Sequence, residues 1–288
     1  MNPANILTLV QLTDTHLRPN GERVLDAVDT HAVLLHVLDK LRTGGRRIDA
    51  LILSGDLADT GAPEAYRRLR AAVEPVAAEL GAQVLYVMGN HDERAAFGVE
   101  LFGHEPGSAA AAAPYDQVLE VAGLRVIGLD STTPGQHHGH LEDSQLDWLA
   151  AQLREPAPRG SLLVLHHPPL PSAVPAAEFL KLRNADRLAE VLTSTDVRMI
   201  LCGHNHMTAA SALAGIPVWV GPALAYRIDA MSPTGRQYGI AGSGFTRIDV
   251  LDTAIIASAV ETTPTTRLYD KSDTEVQERL QALQSGRG

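Results

Sequence analysis

Five short apolar runs in this chain each end in a cluster of residues able to hold a metal ion, and that pairing constrains the fold more than any other feature. Ile6–Leu12 leads into Thr13-Asp14-Thr15-His16, and Ala50–Leu53 into Ser54-Gly55-Asp56-Leu57-Ala58-Asp59. Val84–Met88 leads into Gly89-Asn90-His91-Asp92. Leu162–Leu165 leads into His166-His167-Pro168-Pro169, and Met199–Cys202 into Gly203-His204-Asn205-His206. Short, apolar, partly β-branched runs read as buried strands. Ligands of open α/β sheets gather outside the carboxyl ends of the strands. The five clusters are therefore expected to converge at one edge.

Helical patterns separate these runs. Val24–Leu41 carries apolar residues at helical spacing. Pro63 opens a second pattern, Glu64–Leu80, and Gly81 stands just past its end. Ser144–Leu153 and Asp186–Leu192 are two more. Val118–Val121 and Leu124–Leu129, split by Ala122–Gly123, read as a hairpin, as do Ala209–Leu213 and Ile216–Val220 around Ala214–Gly215. Late strands are expected at Phe245–Leu251 and Ala254–Val260. Strand–helix alternation with added hairpins predicts a mixed α/β sandwich of two sheets. The five alanines within Gly107–Pro114 fit a loop or a short helix. One domain is expected over residues 1–262, followed by a polar tail, 263–288, with a short helix near Thr274–Leu283.

Spacing inside two clusters has its own reading. In extended backbone, residues i and i+2 point the same way, so Asp14 and His16 are expected to reach one point together, and His204 and His206 another. Glycines 55, 89 and 203 let the backbone turn and approach an ion closely.

Composition narrows the partners. The formal charge is −10, and basic residues come as short pairs such as Arg46–Arg47 rather than as a stripe. Polymeric nucleic acid is held by many Lys/Arg–phosphate contacts, so no such partner is expected. An acidic protein still binds phosphate where metal ions supply local positive charge. Cys202 is the single cysteine, which fits a reducing compartment. Met1 to Val10 lacks a basic segment followed by a long apolar run, and no stretch approaches the ~20 apolar residues of a membrane span. The expectation is a cytoplasmic protein.

The series Asp-x-His, Gly-Asp-x-x-Asp, Gly-Asn-His-Asp, His and Gly-His-x-His, in this order over roughly residues 5–260, resembles the calcineurin-like metallophosphoesterases. Gly55–Tyr66, Met88–Asp92, Pro134–Gly139, His166–Pro171 and Thr195–His206 are similar to the class III cyclic nucleotide phosphodiesterases of actinobacteria. The resemblance implies a four-layer α/β/β/α sandwich of two mixed sheets flanked by helices. It implies two metal ions per chain, as Fe/Mn, Zn/Mn or Mn/Mn. Asp14, His16 and His206 would hold the first ion. Asn90, His166 and His204 would hold the second, with Asp56 bridging. His91 would assist the leaving group, oriented by Asp92. Asn90, His91, His206 and His137 would face the substrate. The implied reaction is in-line hydrolysis of a small phosphodiester, 3′,5′-cyclic nucleotides such as cAMP foremost, by a hydroxide shared between the ions. The same centre serves 2′,3′-cyclic nucleotides, glycerophosphodiesters or phosphomonoesters, and a metal-binding interaction module without catalysis is the reading from another class. The related branch is often dimeric, which implies a homodimer.

Other positions stay open at this point. Asp59 reads either as electrostatic support or as a cap. His167 reads as a neighbour of the ligands. His137, His138 and His140 read as a loop beside the site or as a solvated turn. Tyr226, Arg227 and Tyr238 read as an ordinary loop or as a substrate cap.

Overall fold

Aromatic residues are only 4% of the chain, so the interior is filled by aliphatic side chains whose sidedness follows from strand alternation. The computed structural model of the chain describes residues 6–172, 174–262 and 268–285. The first stretch runs β1 (Leu7–Leu12), α1 (Thr30–Thr43), β2 (Ala50–Ser54), α2 (Pro63–Leu80), β3 (Gln83–Val87), α3 (Arg94–Phe102) and α4 (Ala109–Ala112). Next come β4 (Gln117–Val121), β5 (Leu124–Leu129), α5 (Asp143–Gln152), β6 (Ser161–Leu165), α6 (Pro175–Leu180), α7 (Ala185–Leu192) and β7 (Val197–Cys202). The chain then forms β8 (Ala209–Leu213), β9 (Ile216–Val220), β10 (Arg227–Ile228), β11 (Gly239–Ile240), β12 (Gly244–Val250), β13 (Ile255–Glu261) and α8 (Asp273–Ser285).

One sheet has the order β13-β12-β1-β2-β3 and the other β4-β5-β6-β7-β9-β8, with β10 and β11 as a separate ribbon. Both sheets are mixed. β1, β2 and β3 are parallel while β12 runs antiparallel to β1. β5, β6, β7 and β9 are parallel and flanked by antiparallel β4 and β8. Leu9, Ile52 and Val87 of the first sheet pack against Val126, Leu162 and Leu201 of the second. On the outer faces Val10, Leu51 and Leu53 meet α1 and α2, and Ile127, Leu163 and Ile200 meet α5 and α7. This is the expected α/β/β/α layering. Each fully buried aliphatic side chain stabilises it by about 1.5–3 kcal/mol relative to exposure.

Local chemistry sets the ends. The α2 helix starts at Pro63 and stops at Gly81 in the left-handed conformation. Both expected hairpins form. Their turns place Ala122–Gly123 and Ala214–Gly215 at positive φ, as two-residue hairpin turns require. The helix expected from Val24 begins at Thr30 instead. Asp29 caps it through the Ala32 N–H at 3.0 Å, and Leu25 and Asp26 sit at positive φ in a turn closed by the Val24–Val28 bridge. The alanine run forms the short α4, capped by Ser108. The tail helix is α8, where Ser272 and Glu275 bond reciprocally. Residues 263–267 and 286–288 of the tail, and residues 1–5, lie outside the described residues. No helix among the described residues is long and apolar enough to cross a membrane.

Candidate metal centre

The strand ends deliver their polar clusters to one place, where main-chain bonds lock the loops together. The Asp14 N–H donates to Gly55 O at 3.0 Å and the His16 N–H to Asp56 O at 2.9 Å. The Gly203 N–H donates to His166 O at 3.1 Å, and the Ile228 N–H to His206 O at 3.0 Å. Asp14, His16, Asp56, His204 and His206 all adopt positive φ, between 43° and 73°. Such backbone costs of order 1–3 kcal/mol per residue and clusters at functional sites. Gly55 has φ +95°, and a Cβ there would collide with the ring of His166.

Three groups of ligand atoms result. They are Asp14 with His16 and His206, His16 with Asp56 and His91, and Asp56 with His166 and His204. Asp56 belongs to the latter two, which puts its carboxylate between the flanking sets. The left-handed turns overturn one expectation. His204 and His206 do not reach one point, because Asn205 N bonds back to Gly203 O at 2.9 Å and the turn sends the two rings to different groups. That division is the one the resemblance implied.

The donor atoms of the cluster fit cations. His206 Nδ1 donates to Tyr226 O at 2.8 Å and His166 Nδ1 to Ser54 O at 3.0 Å, so each Nε2 presents a lone pair. His16 Nδ1 is held by Asp59 Oδ1 at 2.9 Å. The Nε2 atoms of His16 and His206 then face each other at 3.1 Å. His16 Nε2 lies 3.6 Å and His166 Nε2 lies 3.2 Å from Asp56 Oδ2. Asn90 Oδ1, His166 Nε2 and His204 Nε2 are buried without a hydrogen-bond partner among the described residues. Lone pairs aimed at lone pairs and at a carboxylate repel unless cations lie among them. The donor set is nitrogen and oxygen only, which suits iron, zinc or manganese.

Titration of the protein groups alone separates the two rings: a proton answers the Asp56 carboxylate at His166 where no cation does, while His204 stays neutral. Burial pushes His204 down to about 3, reinforced by the neighbouring His166. Burial also opposes charge on His166, but the Asp56 carboxylate overcomes it and raises that ring to about 9.

The remaining expected residues divide. His91 lies at the rim, its Nδ1 2.8 Å from Asp59 O and its N–H donating to Asp56 Oδ1 at 2.8 Å. Asp92 does not orient it, which corrects that expectation. Its carboxylate accepts from the N–H groups of Leu57, Ala58 and Gly89 and from the Tyr66 hydroxyl, and so welds two loops together. The orienting contacts belong to Asp59. His167 is buried against Ser131 Oγ at 2.8 Å, beside the ligands. His137 Nδ1 accepts from Asn90 Nδ2 at 3.2 Å and lines the cavity over the cluster, which His138 and His140 do not. The Tyr226 ring packs 4.3 Å from His206 and lines the same cavity, of about 300 Å³. Val174, Ala177 and Gln237 line walls that sequence reasoning missed, since no motif marks them.

Comparison with known proteins identifies the family. The model of the calcineurin-like phosphoesterase family matches residues 7–208. A probable cyclic nucleotide phosphodiesterase of Rhodococcus erythropolis is 47% identical, over 88% of this chain and 82% of that protein. A cAMP/cGMP dual specificity phosphodiesterase of Mycobacterium tuberculosis is 42% identical, over 90% and 80%. The crystal structure of a dimetal phosphatase from Danio rerio shares the fold with a TM-score of 0.56, at 15% identity, over 88% of this chain and 98% of that one.

Proposed function

The chain belongs to the calcineurin-like phosphoesterase family, and from that membership we propose that it is a binuclear metal-dependent phosphodiesterase hydrolysing small phosphodiesters, 3′,5′-cyclic nucleotides foremost. The observation that carries this reading is the approach of the Nε2 atoms of His16 and His206, 3.1 Å apart beside the Asp56 carboxylate.

Asp14, His16 and His206 would hold one ion, and Asn90, His166 and His204 the other, with the Asp56 carboxylate available to both sets. Fe/Mn, Zn/Mn and Mn/Mn all suit these donors. When bound, the ions supply the positive charge that attracts phosphate and lower the pKa of water from 15.7 to about 7. The chain performs the rest. Asp59 O fixes His91 through Nδ1, which leaves Nε2 to carry a proton to the departing alkoxide. His137 steadies the Asn90 amide through Nδ2, so Oδ1 keeps a single orientation. With a net charge of −10 the protein draws its anionic substrate through the ions and not through a basic surface. A homodimer in the cytoplasm completes the proposal.

The test is a panel on metal-reconstituted protein: 3′,5′-cAMP, 2′,3′-cAMP, a bis-aryl diester and an aryl monoester. The expected order puts 3′,5′-cAMP and the bis-aryl diester above the monoester. A preference for the monoester overturns the reading.

A further inference from the structure

Both walls of the cavity follow directly from metal ligands. After His166 the chain passes through Val174 into α6, whose Ala177 is buried against the cavity. After His206 it forms the β10–β11 ribbon, which is tied to that ligand twice. His206 Nδ1 donates to Tyr226 O, and the Ile228 N–H donates to His206 O. The position of the ribbon wall is thus tied to His206.

Beyond the ligand cluster lies a second cavity of about 660 Å³. Val174, Ile228 and Gln237 line both spaces and so form the neck between them. Val174 and Ile228 are aliphatic and offer surface to the face of a flat ring. Gln237 is exposed in the segment between β10 and β11, and no protein group among the described residues holds its amide. A neck of aliphatic walls and one free amide, opening off a phosphate-binding end, fits a planar heterocycle with a polar edge. A glycerol or choline group offers no such plane.

Resting on the phosphodiesterase reading, we infer that the α6–ribbon neck is the base subsite and that Gln237 is its specificity-determining residue, pairing with the edge of a purine. A carboxamide both donates and accepts. It therefore satisfies adenine, with an amino donor beside a ring-nitrogen acceptor, and in the flipped orientation guanine, with its adjacent donors and acceptor. Little discrimination between the two follows. Gln237→Glu leaves acceptors only. The carboxylate takes the N1–H and amino protons of guanine but faces the bare N1 of adenine.

Two measurements test this. In Gln237→Glu the ratio of kcat/KM for 3′,5′-cGMP to that for 3′,5′-cAMP rises on the order of tenfold over the native protein. A general structural defect lowers both substrates together and leaves the ratio unchanged, which overturns the assignment. Separately, adenosine, which has no phosphate, is titrated into metal-free protein with labelled methyl groups. Shifts at Val174 and Ile228 support the subsite, and their absence overturns it. A native protein that cleaves neither nucleotide removes the cyclic-nucleotide reading, while the adenosine titration still decides the subsite.

Discussion

Asp59 Oδ1 lies 2.9 Å from His16 Nδ1, and the main-chain oxygen of the same residue accepts from His91 Nδ1 at 2.8 Å. One residue therefore orients a ligand ring with its side chain and the rim histidine with its backbone. Carboxylates behind a ligating histidine set its tautomer, and their loss costs 10–100-fold in metal affinity or activity. Asp59→Ala is expected to weaken metal binding by about that factor, measured by chelator competition, while Asp59→Asn retains more affinity. His91 stays in place in both variants because its partner is main chain.

His91→Ala is expected to keep full metal occupancy by elemental analysis and to lose roughly 10²–10⁴-fold in kcat. Loss of metal in this variant would make His91 a ligand instead of the proton carrier.

Asp92→Asn is expected to lower stability by about 1–3 kcal/mol in denaturant unfolding, because three backbone N–H groups and the Tyr66 hydroxyl share the carboxylate. The effect on turnover should be smaller than that of His91→Ala. A loss of turnover equal to that of His91→Ala at unchanged stability would restore a direct catalytic role.

Gly55→Ala places a Cβ against the His166 ring at a backbone φ of +95°. The expected result is loss of metal at the His166 side and a melting temperature lowered by several degrees. Normal metal content in this variant would mean that the loop yields without moving the ligand.

Asp116 supplies a pH dependence apart from the metal ligands. Burial raises its carboxyl from 3.8 to about 6, against hydrogen bonds from the Asp130 N–H and the Gln145 amide. The folded chain then keeps a proton that the unfolded chain releases, so this contribution is full below about pH 4 and is lost as pH rises to about 6. Asp116→Asn removes the titration. Its stability relative to the native metal-free protein should improve by about 1–3 kcal/mol between pH 4 and 6.5, read by urea unfolding. A difference independent of pH would contradict the shift.

The gathering of the candidate residues was legible in the sequence because buried parallel strands read as apolar runs and their polar ends mark the sheet edge. Asp14, His16, Asp56, His166, His204 and His206 could be named on that ground together with the family resemblance. The division of His204 from His206 was not legible from spacing, since it depends on left-handed φ at both residues. The start of α1 was misread because apolar periodicity continued through a turn that Asp29 terminates. The orienting role expected of Asp92 falls to Asp59, because hydrogen-bond partners from other loops decide what each carboxylate does. The neck residues were invisible for a different reason. Val174, Ile228 and Gln237 are ordinary residues; the ribbon's attachment to His206 brings Ile228 and Gln237 to the site, and the start of α6 brings Val174.

The central claim is a pair of ions shared at Asp56. Elemental analysis of protein reconstituted with manganese and freed of excess metal tests it directly. The account predicts two ions per native chain and a loss of at least one in Asp56→Ala. A native chain holding one ion or none, or an Asp56→Ala chain that still holds two, would contradict it.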